Sequence, residues 1–232
     1  MNFPTLETYF NQQSRPLNPG ILKQFHLYRQ LLQAANEHMN LTAIVDDRGV
    51  EIKHFLDSIW FPFPAPATRL LDVGSGAGFP GIPLHLVHSH LHTVLLEPNQ
   101  KKAQFLQDLI QALQLNQIQV VSERAEIWNQ QHREQFDVVT ARAVAPLRIL
   151  LELTAPFVTV EGTVMLLKGP TVHEELNQAK KAIDVLGLKL QKIESIDLPD
   201  IHESRTVVYL KKIKATPMPY PRRFALIKSK PL

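Results

Sequence analysis

The chain has 232 residues, a length sufficient for one domain with a substantial core and an appendage. Its hydrophobic content of 44% and its charged content of 20% are typical of a globular protein in water. No residue is cysteine, which excludes disulfides, cysteine-ligated zinc or iron–sulfur sites and every mechanism that needs a thiolate nucleophile.

The formal net charge of +3 is unevenly distributed along the chain. From Lys211 to Leu232 no residue is acidic, whereas residues 1–210 have a net negative charge. The basic residues of this last segment are Lys211, Lys212, Lys214, Arg222, Arg223, Lys228 and Lys230. A basic segment attached to an acidic body predicts a phosphate-rich partner. A solvated extension without a partner is the alternative.

The first residues, MNFPTLETYFNQQS, have neither the basic start nor the continuous apolar stretch of a secretory signal. The sequence also has no run of about eighteen apolar residues that would predict a membrane span. We therefore expect a cytoplasmic protein without a membrane partner. Nothing in the sequence suggests an obligate dimer, so a monomer is expected.

Residues 1–64 have the pattern of a helical extension. One helix is predicted to start at Asn18-Pro19 with Asn18 as its cap, because apolar residues follow at near-helical spacing. A second helix is predicted over residues 49–60. The proline-rich segment 61–66 cannot continue a helix and is interpreted as a linker.

Strands and helices alternate after this linker, which predicts a parallel sheet covered on both faces. Strands are predicted at 68–73, 92–97, 117–121, 135–140, 161–168, 187–197 and 204–212, and helices at 81–89, 99–114, 124–131, 146–157 and 171–185. No helix separates the last two strands, so they are expected to form an antiparallel pair. The predicted fold class is α/β, a Rossmann-like, seven-stranded, mostly parallel sheet. Three segments are predicted: a helical extension over 1–64, a main domain over 65–212 and a basic C-terminal tail over 213–232.

The stretch LLDVGSGAGFPG, residues 70–81, reads as a buried strand, a glycine turn and a helix start. This geometry places backbone N–H groups and a helix N-terminus against a nucleotide-like ligand. Gly76, Gly78 and Gly81 fit the dinucleotide pattern G-x-G-x-x-G, which alone is a weak signal.

The acid in this stretch favours a different ligand. Asp72 precedes Gly74 by two residues, and a carboxylate suits a ligand with an ammonium and a sulfonium group better than it suits a pyrophosphate. The stretch resembles the first motif of Rossmann-like S-adenosylmethionine-dependent methyltransferases. We therefore predict that Asp72, Gly74, Gly76 and Gly78 bind S-adenosylmethionine; a nicotinamide dinucleotide is the alternative.

Polar residues follow three further strands, and ligands of such sheets lie beyond the carboxyl ends of the strands. Glu97, about twenty residues after the glycine turn, is predicted to accept hydrogen bonds from the ribose hydroxyls. Ala125-Glu126 is predicted to hold the adenine edge. Arg142 points to the reaction centre and suits either the cofactor carboxylate or an RNA phosphate. For Glu97 and Glu126, a solvated acid in a first helical turn is the alternative.

The residues after the fourth predicted strand narrow the possible acceptors. They lack the Asn/Asp-Pro-Pro-aromatic loop of enzymes that methylate exocyclic amines, and methylation of pyrimidine C5 needs a cysteine. An acceptor that is already nucleophilic, such as guanine N7, is favoured, since it has no proton to lose. Catalysis would then depend on positioning. A ribose oxygen or a small-molecule acceptor stays possible.

Several stretches together resemble the bacterial small-subunit rRNA guanine-N7 methyltransferases, also called glucose-inhibited division protein B. The matching stretches are Asn40-Leu-Thr-Ala43, His54-Phe-Leu-Asp-Ser58, Asp72 to Pro83, Ala141-Arg-Ala-Val144, Leu167-Lys-Gly169, Tyr220-Pro-Arg-Arg223 and Pro231-Leu232. The resemblance implies methylation of one guanine in the decoding-region loop of 16S rRNA. It also implies that Gly74, Phe79, Ala125, Glu126 and Arg142 contact the cofactor. Family tails continue after YPRR with Pro-Gly, whereas Phe224-Ala-Leu-Ile227 follows here.

The remaining candidates concern RNA and metal. Lys168, Arg222 and Arg223 are predicted to bind rRNA, although a strand-end lysine can also simply extend to solvent. His54, Asp57 and Ser58 are expected mainly to tie the helical extension to the glycine turn, with a substrate role as the alternative. No metal is expected, because the histidines near residues 85–92 have no acidic or cysteine companions.

Overall fold

A computed structural model describes residues 4–142 and 145–232. Within these ranges the chain forms one sheet of seven strands, which confirms the predicted number. The strands are β1 (Arg69–Val73), β2 (His92–Leu96), β3 (Ile118–Val121), β4 (Phe136–Arg142), β5 (Val158–Lys168), β6 (Leu188–Asp197) and β7 (Ser204–Lys212). Their order is β3-β2-β1-β4-β5-β7-β6. Strand β7 is antiparallel to β5 and β6, and the pairs from β3 to β5 are parallel, as predicted.

Helices cover both faces of the sheet. They are α1 (Pro4–Gln12), α2 (Pro19–Met39), α3, α4 (Gly81–Val87), α5 (Gln100–Ala112), α6 (Ala125–Trp128), α7 (Leu147–Thr154), α8 (Val172–Gln178), α9 (Lys180–Val185) and α10 (Phe224–Ser229). Helix α3 has an α-helical turn at Asp47–Gly49, a π-helical segment at Val50–Leu56 and a final turn at Asp57–Ile59. The single helix predicted over 171–185 is divided at Ala179, where φ is −92° and ψ is 1°.

The central strand β1 is buried from Leu70 to Val73, because both faces of the sheet are covered. Leu70 belongs to the apolar core on one face, with α2, α3, α4 and α5. Leu71 belongs to the core on the other face, with α6, α7, α8 and α9. The carboxyl ends of β1, β2 and β4 therefore meet at one edge between two rigid layers.

The predicted N-terminal extension packs directly on the sheet. The Asn18 side chain caps α2 by accepting a hydrogen bond from the Gly20 amide at 2.7 Å, as expected for this residue type. Phe25 and Tyr28 of α2 and Phe55 of α3 are fully buried in the same core as Leu70. The extension and the sheet thus share one apolar core.

The basic C-terminal segment lies on the body of the protein. Ile227 of α10 is fully buried and packs against Ile149 and Leu153 of α7. Arg133 donates hydrogen bonds to the carbonyl oxygens of Thr216 and Tyr220. The Phe224–Ile227 insertion noted above therefore forms a helix that attaches the end of the chain.

Over the part of the chain that the structure describes, no helix has the combined length and apolar composition that a bilayer crossing requires.

Candidate active site

The glycine turn after β1 has the backbone conformation that its sequence predicts. Gly76 and Gly78 have φ of 58° and 102°, a region that residues with a Cβ rarely adopt. A Cβ on Gly78 would also lie 2.6 Å from the Tyr28 hydroxyl oxygen. The Gly74 amide donates to the Leu96 carbonyl at 2.8 Å, which holds the turn against the end of β2.

Asp72 lies beneath this turn and is fully buried. Its Oδ2 accepts a hydrogen bond from the Gly81 amide at 3.0 Å, so the carboxyl group joins the end of β1 to the start of α4. Its Oδ1 is buried without a hydrogen-bond partner among the described residues. Burial raises the pKa of the Asp72 carboxyl to about 7, against the opposing effect of the Gly81 hydrogen bond.

Glu97 follows β2 and bonds to the glycine turn. Its Oε2 accepts from the Gly76 amide at 2.8 Å and its Oε1 from the Asn99 amide at 2.9 Å. The two strands are adjacent and parallel, with Val73 opposite Leu96, which brings Glu97 beside the turn. The residue keeps an exposed fraction of 6%. Each carboxylate oxygen has a second lone pair with which it can accept a further hydrogen bond.

Ala125 and Glu126 begin the short helix α6, after β3. The Glu126 carboxylate lies 4.0 Å from the Arg124 guanidinium. Ala125 packs on the cluster that contains Ile227 of the C-terminal helix. One of the two residues predicted to hold the adenine edge, Ala125, therefore contacts the same apolar cluster as the C-terminal helix.

Arg142 at the end of β4 connects the sheet to the N-terminal extension. Its Nη1 donates to the Lys53 carbonyl at 3.1 Å and to Asp57 Oδ2 at 3.2 Å. Its guanidinium carbon lies 4.7 Å from the centre of the Phe79 ring, a cation–π distance. Burial lowers the pKa of the Arg142 guanidinium, and the Asp57 charge opposes this effect. The stretch Ala141-Arg-Ala-Val144, which resembles the family, includes residues 143 and 144, and these two lie outside the described residues.

His54 stacks against Phe79, with ring centres 4.5 Å apart and an interplanar angle of 20°. His54 Nδ1 lies 3.2 Å from Arg142 Nη2 and 3.1 Å from the Lys53 carbonyl oxygen, so it faces one group that only donates and one that only accepts. His54 Nε2 lies 2.8 Å from the Thr42 hydroxyl oxygen, within hydrogen-bond distance. Burial and the Arg142 charge lower the pKa of His54 to about 3, so the ring is neutral at pH 7.

Asp57 lies between two guanidinium groups. Besides Arg142, Arg205 at the start of β7 places its Nε 3.5 Å from Asp57 Oδ1. Burial raises the pKa of the Asp57 carboxyl, whereas both arginines lower it. Ser58 donates to the His54 carbonyl at 2.6 Å within α3. The expected link between this helix and the glycine turn is thus made by His54, through Phe79.

A cavity of about 330 Å³ opens beside Arg142. It is lined by Ile44, Lys53, His54, Asp57, Arg142, Leu167, Lys168, Gly169 and Arg205. Its volume is near the lower end of small-ligand pockets, about 300–1,000 Å³. A larger cavity of about 690 Å³ lies at the amino ends of β1 and β2, the edge opposite to the one where such sheets bind ligands. The smaller cavity, here called the acceptor pocket, is therefore the better candidate.

The three predicted RNA-binding residues have different surroundings. Lys168 lines the acceptor pocket, but its Nζ lies 2.7 Å from Glu175 and its side chain is only 7% exposed. Arg222 forms a bidentate pair with the buried Glu152, at 2.8 and 2.7 Å. Arg223 is exposed. Arg223 has the most accessible side chain of the three.

Sequence reasoning missed Tyr28, Lys53 and Arg205. Tyr28 donates to the Ala77 carbonyl at 2.6 Å and stacks on Phe79 from α2. Tyr28 fits the apolar face of a helix, and Lys53 and Arg205 are ordinary surface residues by pattern. No local signal therefore singles them out. Among residues 4–142 and 145–232, no group of three or more His, Cys, Asp or Glu side chains could hold a metal ion.

Comparison with known proteins gives a consistent result. The family model described as rRNA small subunit methyltransferase G matches residues 21–206. The ribosomal RNA small subunit methyltransferase G of Geobacillus kaustophilus is 42% identical over 96% of this chain and 96% of its own length. The protein of the same name from Clostridium botulinum strain 657 is 40% identical, over 99% of this chain and 98% of its own.

Solved structures agree on the fold. M. jannaschii TYW2 in complex with AdoMet has a TM-score of 0.50 at 17% identity, covering 62% of this chain and 69% of its own. A chain of the fibrillarin/Nop5p complex has a TM-score of 0.50 at 16% identity, covering 63% and 73%. At these identities the likeness concerns the fold alone.

Proposed function

The chain belongs to the rRNA small subunit methyltransferase G family, and on that premise we propose that it methylates N7 of a guanine in the decoding-region loop of 16S rRNA. The methyl donor is S-adenosylmethionine. The observation that carries the proposal is the position of Arg142, which lies between the glycine turn and the acceptor pocket. Acceptor and donor sites thus meet at one side chain.

The residues around the glycine turn fit S-adenosylmethionine. The open conformation of Gly76, where an added Cβ would find its nearest neighbour at 3.9 Å, leaves the backbone accessible to a ligand. Glu97 would accept hydrogen bonds from the ribose hydroxyls, and Ala125 and Glu126 would hold the adenine. Arg142 would pair with the cofactor carboxylate. When bound, the cofactor supplies an electrophilic methyl group.

The acceptor pocket fits an acceptor that needs no general base. His54 is neutral, but both of its ring nitrogens already have partners: Nδ1 lies beside Arg142 and the Lys53 carbonyl, and Nε2 lies beside the Thr42 hydroxyl. The Asp57 carboxylate is held between Arg142 and Arg205. Neither residue is placed to remove a proton. Guanine N7 has a free lone pair and no proton, so positioning alone can promote its methylation.

That the enzyme is a monomer stays a prediction from the sequence. A substrate of ribosomal RNA supports action in the cytoplasm, where bacterial rRNA is found.

The test is transfer of labelled methyl groups from S-adenosylmethionine to unmodified 16S rRNA or small subunits, followed by mass spectrometry of the nucleosides. We expect N7-methylguanosine. Transfer to another nucleoside would contradict the acceptor, and transfer that needs no RNA would indicate a small-molecule substrate.

The residue assignment has its own control. We expect Arg142→Met to lower kcat about a hundredfold, because lost positioning at the reacting atoms has costs of this order. Arg48→Met removes an exposed arginine whose partner is Asp200, outside the acceptor pocket, and should keep normal activity. Equal activity of the two variants would contradict the role of Arg142.

A further inference from the structure

Two cations of the acceptor pocket, Lys53 and Arg205, both pair with the carboxylate of Glu203. Glu203, which precedes β7, places Oε1 2.5 Å from Lys53 Nζ and Oε2 2.7 Å from Arg205 Nη2. Each carboxylate oxygen thus bonds to one cation. These hydrogen bonds hold the pKa of the Glu203 carboxyl below its usual value. Glu203 itself is outside the pocket lining, whereas Lys53 and Arg205 are part of it.

The other basic side chains of the pocket have partners that water reaches less easily. Lys168 is paired with Glu175, which is 19% exposed, and Arg142 with Asp57, which is 8% exposed. The Glu203 side chain is 41% exposed, and Lys53 and Arg205 are 29% and 23% exposed. Exposed ion pairs contribute little to stability, so this one can exchange its anion at low cost.

A phosphate can take the place of this carboxylate. Both groups present two oxygens to two donors, and an RNA phosphodiester carries the same single negative charge as a carboxylate. A base in the acceptor pocket would bring the phosphate of its own nucleotide to the pocket rim. Arg205 also contacts Asp57, which pairs with Arg142. An anion bound to Arg205 at this rim is therefore connected to Arg142 through Asp57.

We propose that Lys53 and Arg205 form a phosphate subsite for the acceptor nucleotide. In the free enzyme, the Glu203 carboxylate occupies this subsite. The inference rests on the proposed function, since it takes the acceptor pocket to hold a guanine. Binding of the substrate exchanges the carboxylate for a phosphate of the RNA. Glu203 then swings into solvent, and an RNA without a phosphate at that position binds less tightly.

The test compares guanosine 5′-monophosphate with guanosine by calorimetry on the full chain. We expect Glu203→Gln to bind the monophosphate about threefold to tenfold more tightly. In the wild type, the Glu203 carboxylate competes with the phosphate for Lys53 and Arg205, and exposed ion pairs have strengths of this order. Lys53→Met should bind the monophosphate about threefold to tenfold more weakly. Guanosine should bind equally to the wild type and to Glu203→Gln, and Lys53→Met should lose more affinity for the monophosphate than for guanosine. The Lys53 carbonyl that accepts from Arg142 is kept in this variant.

Glu194→Gln is the matched control. Glu194 also pairs with a lysine, Lys192 at 2.6 Å, and lies on the adjacent strand β6 away from the acceptor pocket. This variant should bind both ligands as the wild type does.

Two results would overturn the inference. One is weaker binding of the monophosphate by Glu203→Gln, which would show that Glu203 holds Lys53 and Arg205 in place for the phosphate and does not compete with it. The other is equal affinity of the wild type for guanosine and its monophosphate. Methyl transfer by the wild type to 16S rRNA is measured in parallel: its success with either result rejects only the phosphate subsite, and its failure rejects the proposed function.

Discussion

At the scale of single residues, the acids of the candidate site have structural partners as well as predicted ligands. Glu97 accepts from the Gly76 and Asn99 amides, and Asp72 accepts from the Gly81 amide. Both carboxyl groups therefore shape the glycine turn before any ligand binds. A substitution at either position changes both the shape of the glycine turn and its contacts with the cofactor. The stability of the variant must therefore be measured together with its affinity for the cofactor.

For Glu97→Ala we expect the affinity for S-adenosylmethionine to fall by about 1–3 kcal/mol, because the ribose hydroxyls lose their acceptor. Calorimetric titration measures this, with thermal unfolding of the free variant as the check on the turn. Glu97→Gln keeps an acceptor oxygen and should lose less affinity. If Glu97→Ala binds the cofactor normally, the ribose lies elsewhere.

Asp72 should make stability depend on pH in an unusual direction. Its pKa is about 7 in the folded protein and near its ordinary value when unfolded, so the folded state binds more protons between about pH 4 and 7. This group's contribution is thus complete below about pH 4 and is lost as the pH rises to about 7.

Denaturant unfolding of the wild type and Asp72→Asn across this range measures the effect. Relative to the variant, the wild type should lose at most about 1.4 kcal/mol of unfolding free energy per pH unit, and the difference should be constant above about pH 8. A pH-independent difference from pH 4 to 8 would show that the pKa of the carboxyl group is not raised in the folded protein.

At the scale of elements, the C-terminal tail contains two adjacent arginines, Arg222 and Arg223, that have different surroundings. Arg222 pairs with Glu152, which is fully buried on α7, whereas Arg223 directly precedes α10 and is exposed. The tail is also held by burial of Ile227. Part of its positive charge therefore attaches the tail, and the exposed remainder can contact RNA.

We expect Arg222→Met to lower the free energy of unfolding by about 3 kcal/mol, because it leaves the Glu152 charge buried and unpaired. Arg223→Met should leave stability unchanged and instead reduce the salt dependence of rRNA binding, by about one unit of slope for one lost phosphate contact. Chemical denaturation and filter binding at several salt concentrations measure the two effects. Equal behaviour of the two variants would contradict this division.

At the scale of the whole molecule, the predicted boundary at residue 64 does not divide the apolar core. Residues of α1, α2 and α3 share one cluster with β1, β2, β4 and β7. A segment that contributes to a common core is expected to unfold together with it. The extension thus supplies His54 and Asp57 to the site from a rigid position.

Calorimetry of the full chain should therefore show one unfolding transition. Phe25→Ala in α2 should lower its stability by about 3–5 kcal/mol, since the ring is fully buried. Leu27→Ala, two residues away and 36% exposed, should have a much smaller effect. A separate transition for the extension would contradict the shared core.

The strands of the sheet and the glycine turn could be predicted from the sequence alone. These features depend on local patterns: buried β-rich runs, helix caps and glycines that adopt positive φ. Strand ends then located Glu97 and Arg142, because neighbouring parallel strands end at one edge. Motifs resembling one family indicated the reaction.

Which side chains contact each other could not be predicted from the sequence and follows from the packing of distant segments. Lys53, Glu203 and Arg205 come together from α3 and the start of β7, which are far apart in sequence and show no shared pattern. The acidic partners of Arg222 and Lys168 could not be predicted either, because the charges along a chain do not show which cation lies beside which acid. Long-range pairing follows from packing of the shared core, and no short window of sequence contains it.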